Sequence, residues 1–157
     1  MDQNLVNDGT VACDFNRIKG IWAVREQVAE AALKEGYFYS YDLSLPHKDF
    51  YEIVKVMRKR LGKKVTRCAA CGHLGDGNVH FMATTREFDP EVLSLMEPFI
   101  YKWTAERKGS ISAEHGIGYQ KAKCLCLNQT DNAIATMKSL KKLLDPKGIL
   151  NPYKVLP

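Results

Sequence analysis

The nine residues Gly72-His73-Leu74-Gly75-Asp76-Gly77-Asn78-Val79-His80 limit what this chain can fold into more than any other stretch. Three glycines let the backbone reverse tightly and approach a neighbour closely. Residues on both sides have strand character: Val65 to Cys71 before the turn, Asn78 to Thr84 after it. In the second strand Val79, Phe81 and Ala83 point one way and Asn78, His80, Met82 and Thr84 the other, because successive side chains alternate across a strand. The hairpin therefore offers an apolar face to a core and a face bearing His80 to something else.

A third strand is expected over Tyr37 to Leu43, with Tyr37, Tyr39, Tyr41 and Leu43 on one face and Phe38, Ser40 and Asp42 on the other. Helices are expected around these strands. Residues 17–35 repeat Ile18, Ile21, Trp22, Val28, Ala29 and Ala32 at helical spacing and stop at Gly36. Pro46 opens a helix with the stripe Phe50, Ile53, Val54, Met57 and Leu61, stopped by Gly62. Asp89-Pro90 is an N-cap and first-turn proline for a helix burying Val92, Leu95, Met96, Phe99, Ile100 and Trp103, kinked at Pro98. Gly109 to Ser112 reads as a short fourth strand, and Thr130 to Leu144 as a last helix burying Ile134, Met137, Leu140 and Leu144.

From residue 37 the order is strand, helix, strand, strand, helix, strand. That order predicts an α+β fold of the ferredoxin-like split βαβ type, an antiparallel sheet covered by helices on one face, with flanking helices and the other face free. Residues 1–16 read as an irregular lead-in and 17–157 as one domain.

The free face carries the chemistry. Three of the four histidines, His73, His80 and His115, fall within about 45 residues, together with Asp76 and Glu114. Neutral imidazole and carboxylate are the usual ligands of a catalytic zinc-type site. Two histidines and a glutamate, His73, His80 and Glu114, would leave a coordination position open for substrate; Glu114 and His115 are adjacent, so one can ligate while the other acts as acid or base. Asp76 reads as a turn residue. Arg25 lies inside the apolar stripe of its helix, where it must be paired or meet an anion; a buried anion clamp is the functional reading.

Other classes are set aside. A net charge of +5 spread along helix faces, with Arg58-Lys59-Arg60 at a helix end, does not make a nucleic-acid surface. No apolar run reaches the ~20 residues of a membrane span. Five cysteines do not make a disulfide framework, and Cys68 and Cys71 point to opposite strand faces, so reduced thiols are expected.

Several long motifs in order carry a family resemblance: Trp22-Ala-Val-Arg25, Tyr41-Asp-Leu-Ser-Leu-Pro46, Gly72 to His80, Ser112-Ala-Glu-His-Gly116, and Leu144-Asp-Pro-Lys-Gly-Ile-Leu-Asn-Pro152. From about residue 9 onward the chain resembles the C-terminal region of FAD-linked oxidases, within them the D-2-hydroxyglutarate-oxidising 2-hydroxyacid dehydrogenases. The resemblance implies a divalent metal, usually zinc, on His73, His80 and Glu114. It implies that His115 takes the substrate hydroxyl proton, that Arg25, Asn78 and His115 bind substrate, and that Asn151 approaches the flavin. It further implies FAD held by a domain absent here and supplied in cis or in trans. An electron acceptor such as an electron-transfer flavoprotein and a place in the mitochondrial matrix are also implied, although no targeting segment is visible. The opening reads as the middle of something longer, and the chain alone is expected to be inactive. Three positions depart from the resemblance: a threonine, a lysine and an asparagine would be expected where this chain has Ala29, Ser40 and Met82. Each change removes a donor for a dicarboxylate, so a non-catalytic metal- and hydroxyacid-binding module is the alternative.

Overall fold

The computed structural model describes residues 7–157. Its centre is β3 (Asn78–Thr85), which pairs antiparallel with β1 (Tyr37–Ser44) on one side and β2 (Arg67–His73) on the other. The β2–β3 turn needs its glycines. Gly77 has φ 74°, and a Cβ there would strike the Leu45 carbonyl; a Cβ at Gly72 would strike the carbonyl of Asn78.

One face of the sheet is the core. Tyr39, Tyr41 and Leu43 of β1, Cys68 of β2, and Val79, Phe81 and Ala83 of β3 lie together with Ile53, Val54, Met57 and Leu61 of α3 (Glu52–Leu61). Val92 and Met96 of α4 (Pro90–Met96) and Ile100, Tyr101 and Trp103 of α5 (Phe99–Glu106) close the cluster. Fully burying each large apolar side chain contributes about 1.5–3 kcal/mol, so this face holds the domain together. The Asp89 carboxylate caps α4, accepting from the amides of Glu91 and Val92 at 2.8 and 3.3 Å. Pro98 does more than kink the expected helix: it separates α4 from α5, because a proline supplies no amide to continue the ladder.

The α+β class and three-stranded core match the expectation, and four details differ. First, the fourth strand is a single bridge, with Ser44 and Ser110 exchanging two hydrogen bonds of 2.9 Å. The ladder stops there because the Ser112 amide, the next that would face β1, turns to Ser110 Oγ, and the chain then curls away. Second, the first helix is two, α1 (Phe15–Glu26) and α2 (Val28–Leu33), so ordered structure begins before the expected residue 17. The Asp14 carboxylate caps α1 through the Arg17 amide. Its apolar stripe stays on the surface, with Ile18, Ile21 and Trp22 all more than 40% exposed.

Third, the second sheet face is not bare. Glu35, just beyond α2, accepts from Thr84 Oγ1 at 2.9 Å and from Arg67 Nε at 2.6 Å, tying α2 across one end of the face. The space left between α1–α2 and the sheet is a cleft. Fourth, α6 (Asp131–Leu144) buries only Ile134 of its expected stripe; Met137 is half-buried, and Leu140 and Leu144 are exposed. The helix from Pro46 starts with a short 3-10 turn, His47–Asp49, before α3. Two residues of the basic cluster serve their own chain: Arg58 Nε donates to the Cys68 carbonyl, and Arg60 lies 4.1 Å over the Phe99 ring.

Candidate metal and substrate site

The cleft face is built in rows across the sheet. Ser40, Met82 and Ala69 face one another, then Asp42, His80 and Cys71, then Ser44, Asn78 and His73. Antiparallel register thus places a carboxylate and a thiol on either side of His80 and puts His73 on the next row. The His73 ring centroid is 5.7 Å from that of His80, with the planes nearly perpendicular. The loop after Ser110 brings in the rest. His115 stacks on His80 at 5.3 Å, and Glu114 Oε1 lies 2.9 Å from His80 Nε2. That last contact needs a proton or a cation between the two atoms.

Asp42 sits behind this group and is 1% exposed. Its Oδ2 accepts from the backbone amides of Glu114 and His115 at 2.8 and 2.7 Å, and its Oδ1 accepts from Asn78 Nδ2 at 2.7 Å. Burial alone would raise its pKa, but the two amides, Asn78 and nearby His115 outweigh burial and bring it down to about 2. Lys121, itself buried, donates to Ser112 Oγ at 3.0 Å. Burial lowers its pKa, against the attraction of Asp42 and Glu97. Burial raises the Cys71 thiol, opposed by the charge of Arg25.

One ligand atom each from Asp42, His80, Glu114 and His115 lies within 4.8 Å of the others. Nitrogen and oxygen donors at that spread suit a borderline cation such as zinc. Of the expected ligands, His80 and Glu114 are in contact and His73 stands beside His80 but outside the tight group of four. Asp42 is the residue sequence reasoning passed over. Its signal was an acid in the middle of an otherwise uncharged strand, an environment that charges avoid unless paired.

The cleft in front of these groups has a volume of about 440 Å³. Its far wall comes from α1 and α2, with Arg25, Val28 and Ala29, and its floor includes Phe38, Ser40 and Met82. Arg25 is exposed rather than buried, as an anion clamp was expected to be. The reason is that the α1 stripe around it is itself at the surface. Among the described residues Arg25 has no carboxylate partner; its guanidinium lies 5.8 Å from the Trp22 ring and faces the cleft.

A family model for FAD linked oxidases, C-terminal domain, matches residues 1–155. The chain belongs to the FAD-linked oxidase C-terminal domain family. It is 48% identical over its full length to the mitochondrial D-2-hydroxyglutarate dehydrogenase of Bos taurus and 48% identical to that of Arabidopsis thaliana, covering 29% and 28% of those proteins. It is 40% identical over 99% of its length to a D-2-hydroxyglutarate–pyruvate transhydrogenase of Saccharomyces cerevisiae, covering 33% of it. The chain thus spans about a third or less of these relatives.

Two further expected residues of this FAD-linked oxidase domain stand apart from the cleft centre. Asn78 is 4% exposed, and its amide nitrogen is committed to Asp42; its Oδ1 is buried with no hydrogen-bond partner among the described residues. Asn151, in a left-handed conformation at φ 44°, lines a different groove, with Leu140, Lys141 and Lys154. No helix among the described residues is long and apolar enough to cross a membrane.

Proposed function

We propose that this chain is the substrate- and metal-binding part of an FAD-dependent D-2-hydroxyacid dehydrogenase of the D-2-hydroxyglutarate class. The observation that carries the reading is the convergence of His73, His80, His115 and Glu114 on one side of a cleft whose opposite wall holds Arg25, which has no carboxylate partner among the described residues. His73, His80 and Glu114 would hold a divalent metal, zinc by its donor chemistry. Bound there, such an ion would hold a 2-hydroxyl and lower its pKa, while a flavin would accept hydride from C2.

The chain's own residues do the remaining work. Arg25 presents a planar guanidinium suited to a bidentate grip on a carboxylate. His115, stacked on His80 and exposed, is free to take the hydroxyl proton as general base. Asn78, buried on the same strand face as His80, holds the Asp42 carboxylate through Nδ2. Phe38 and Met82 form an apolar floor that excludes water from the substrate's middle.

Asn151 and the exposed apolar residues of α1 and α6 are read as facing the flavin domain, supplied in cis or in trans. Exposed apolar surface of that extent suits a covered interface. The alternative of a non-catalytic hydroxyacid-binding module draws on one observation, that Ala29, Ser40 and Met82 bring no charge to the cleft. A mitochondrial matrix location and an electron-transfer flavoprotein as acceptor belong to the same proposal; the mitochondrial names of two relatives support a mitochondrial location, and the acceptor rests on the family resemblance alone.

Calorimetric titration of the zinc-loaded chain with D-2-hydroxyglutarate tests the reading. Binding that weakens at least tenfold in Arg25→Ala is the expected result. No binding to the zinc-loaded wild type would contradict it.

A further inference from the structure

The Glu114–His115 segment has a problem to solve. It carries two functional side chains, yet it belongs to no helix or strand, and both residues are exposed. The chain reaches it by leaving the sheet edge after the Ser44–Ser110 bridge, so no backbone ladder can hold it. One buried atom replaces that ladder. Asp42 Oδ2 accepts the adjacent amides of Glu114 and His115, and Ser112 Oγ lies 3.4 Å from the same oxygen. Two consecutive N–H groups aimed at one oxygen fix the backbone between them and turn the side chains of Glu114 and His115 outward, toward the cleft. Hydrogen bonds to an ionised acceptor are short and strong, as these are.

The same carboxylate reaches the strand side. Asp42 is the direct cross-strand partner of His80, and its Oδ1 stands 3.8 Å from His80 Nδ1, the ring nitrogen turned away from Glu114. Its charge is held in place by Asn78 Nδ2. Lys121 braces the far side of the loop through Ser112 Oγ, which donates in turn to the Gly116 carbonyl at 2.7 Å. The oxygen nearest the loop is thus already occupied by the protein's own donors, which leaves Asp42 poorly placed to be a ligand despite its nearness to the other three.

We infer that Asp42 is the positioning residue of the metal and substrate site: from behind the ligands, it sets the Glu114–His115 backbone and backs the His80 ring. This rests on the metal-site reading above and adds a role which that reading does not contain. Carboxylates behind metal-bound histidines orient the ring and select which nitrogen faces the ion, and losing one typically weakens metal binding about 10–100-fold.

The test has an arm that needs no metal. In the metal-free wild-type chain, NMR should show through-hydrogen-bond correlations from the Asp42 side-chain carboxyl carbon to the amide nitrogens of Glu114 and His115. In Asp42→Asn both amide protons should move upfield. Zinc affinity should fall about 10–100-fold, while cobalt(II) at saturation keeps the wild-type absorption bands, because the ligand set is unchanged. Absent correlations with unmoved amide protons would overturn the inference. So would altered cobalt bands in a saturated Asp42→Asn variant, which would make Asp42 a ligand. If Asp42→Asn does not fold, the wild-type correlations decide alone. A wild type that binds neither zinc nor cobalt would contradict the metal reading, and the metal-free correlations would still decide the anchoring.

Discussion

The two faces of β3 are made from alternate residues of one strand, yet they are held by different physics. Val79, Phe81 and Ala83 are fully buried against Tyr41, Leu43, α3 and α5, and their positions follow from volume and contact. Asn78 and His80 face the other way, where few apolar neighbours exist to fix them. Asn78 is held by its bond to Asp42, and His80 stands between Asp42 and a Glu114 whose backbone that same carboxylate holds. The core face can tolerate an apolar substitution of similar volume. The cleft face depends on single atoms, so the two faces should answer mutation differently.

The largest expected effect is on the core face. Phe81→Ala removes a fully buried ring and should cost about 3–5 kcal/mol, measured by urea unfolding. His80→Ala, one residue away on the half-buried face, should change unfolding free energy by less than about 1 kcal/mol, yet abolish zinc binding. Comparable destabilisation by both variants would erase the contrast between the faces.

A second effect separates the faces by pH. Asp42 has its folded pKa pulled to about 2, below its unfolded value near 3.9. Its contribution is therefore complete above about pH 5 and is lost as pH falls toward 2. The stability gap between wild type and Asp42→Asn should shrink over that window and stay flat above it, while the gap for Phe81→Ala has no such dependence on this group. A gap between wild type and Asp42→Asn that is constant from pH 2 to 6 would break the claim that the charge does the holding.

The smallest effect is a difference in thiol reactivity between the faces. Cys68 lies in the core, where burial pushes its thiol up to about 11 despite nearby Arg58, so it should resist alkylation at pH 8 in the folded chain. Exposed Cys13 and Cys126 should react first, with half-buried Cys71 on the cleft face between them and Cys68. Mass spectrometry of peptides after brief iodoacetamide treatment gives the order. Modification of Cys68 ahead of Cys71 would mean that the core face opens more readily than the cleft face.

The same contrast explains what could be read before the fold was known. Strand faces and the hairpin turn were legible because they are local: a period of two over residues 78–84, a period of two over 37–43, and glycines where the backbone must reverse. His80 could therefore be assigned to the cleft face from sequence. The fourth strand stops short because the Ser112 amide, next in line to face β1, turns to Ser110 Oγ, while Asn128, seventeen residues beyond Ile111, takes the Ile111 amide on the other side. The α1 stripe and the α6 stripe have helical periodicity, but periodicity says only which face is apolar and not whether anything covers it.

Asp42 escaped notice for the strongest version of the same reason. Its importance lies in a register that pairs it with His80 and in two amides more than seventy positions away. No spacing within the sequence encodes that. Asn151 shows the opposite case. Its motif was legible by resemblance, as one that approaches a flavin, and it lines a groove separate from the cleft.

The central claim, that this cleft is a metal site on His73, His80 and Glu114, is tested most directly by bound metal per chain, measured by elemental analysis on the wild type and on Glu114→Gln after equilibration with zinc. Close to one zinc in the wild type and a large loss in Glu114→Gln is the predicted result. A wild type with no bound zinc, or a Glu114→Gln variant that keeps it fully, would contradict the account.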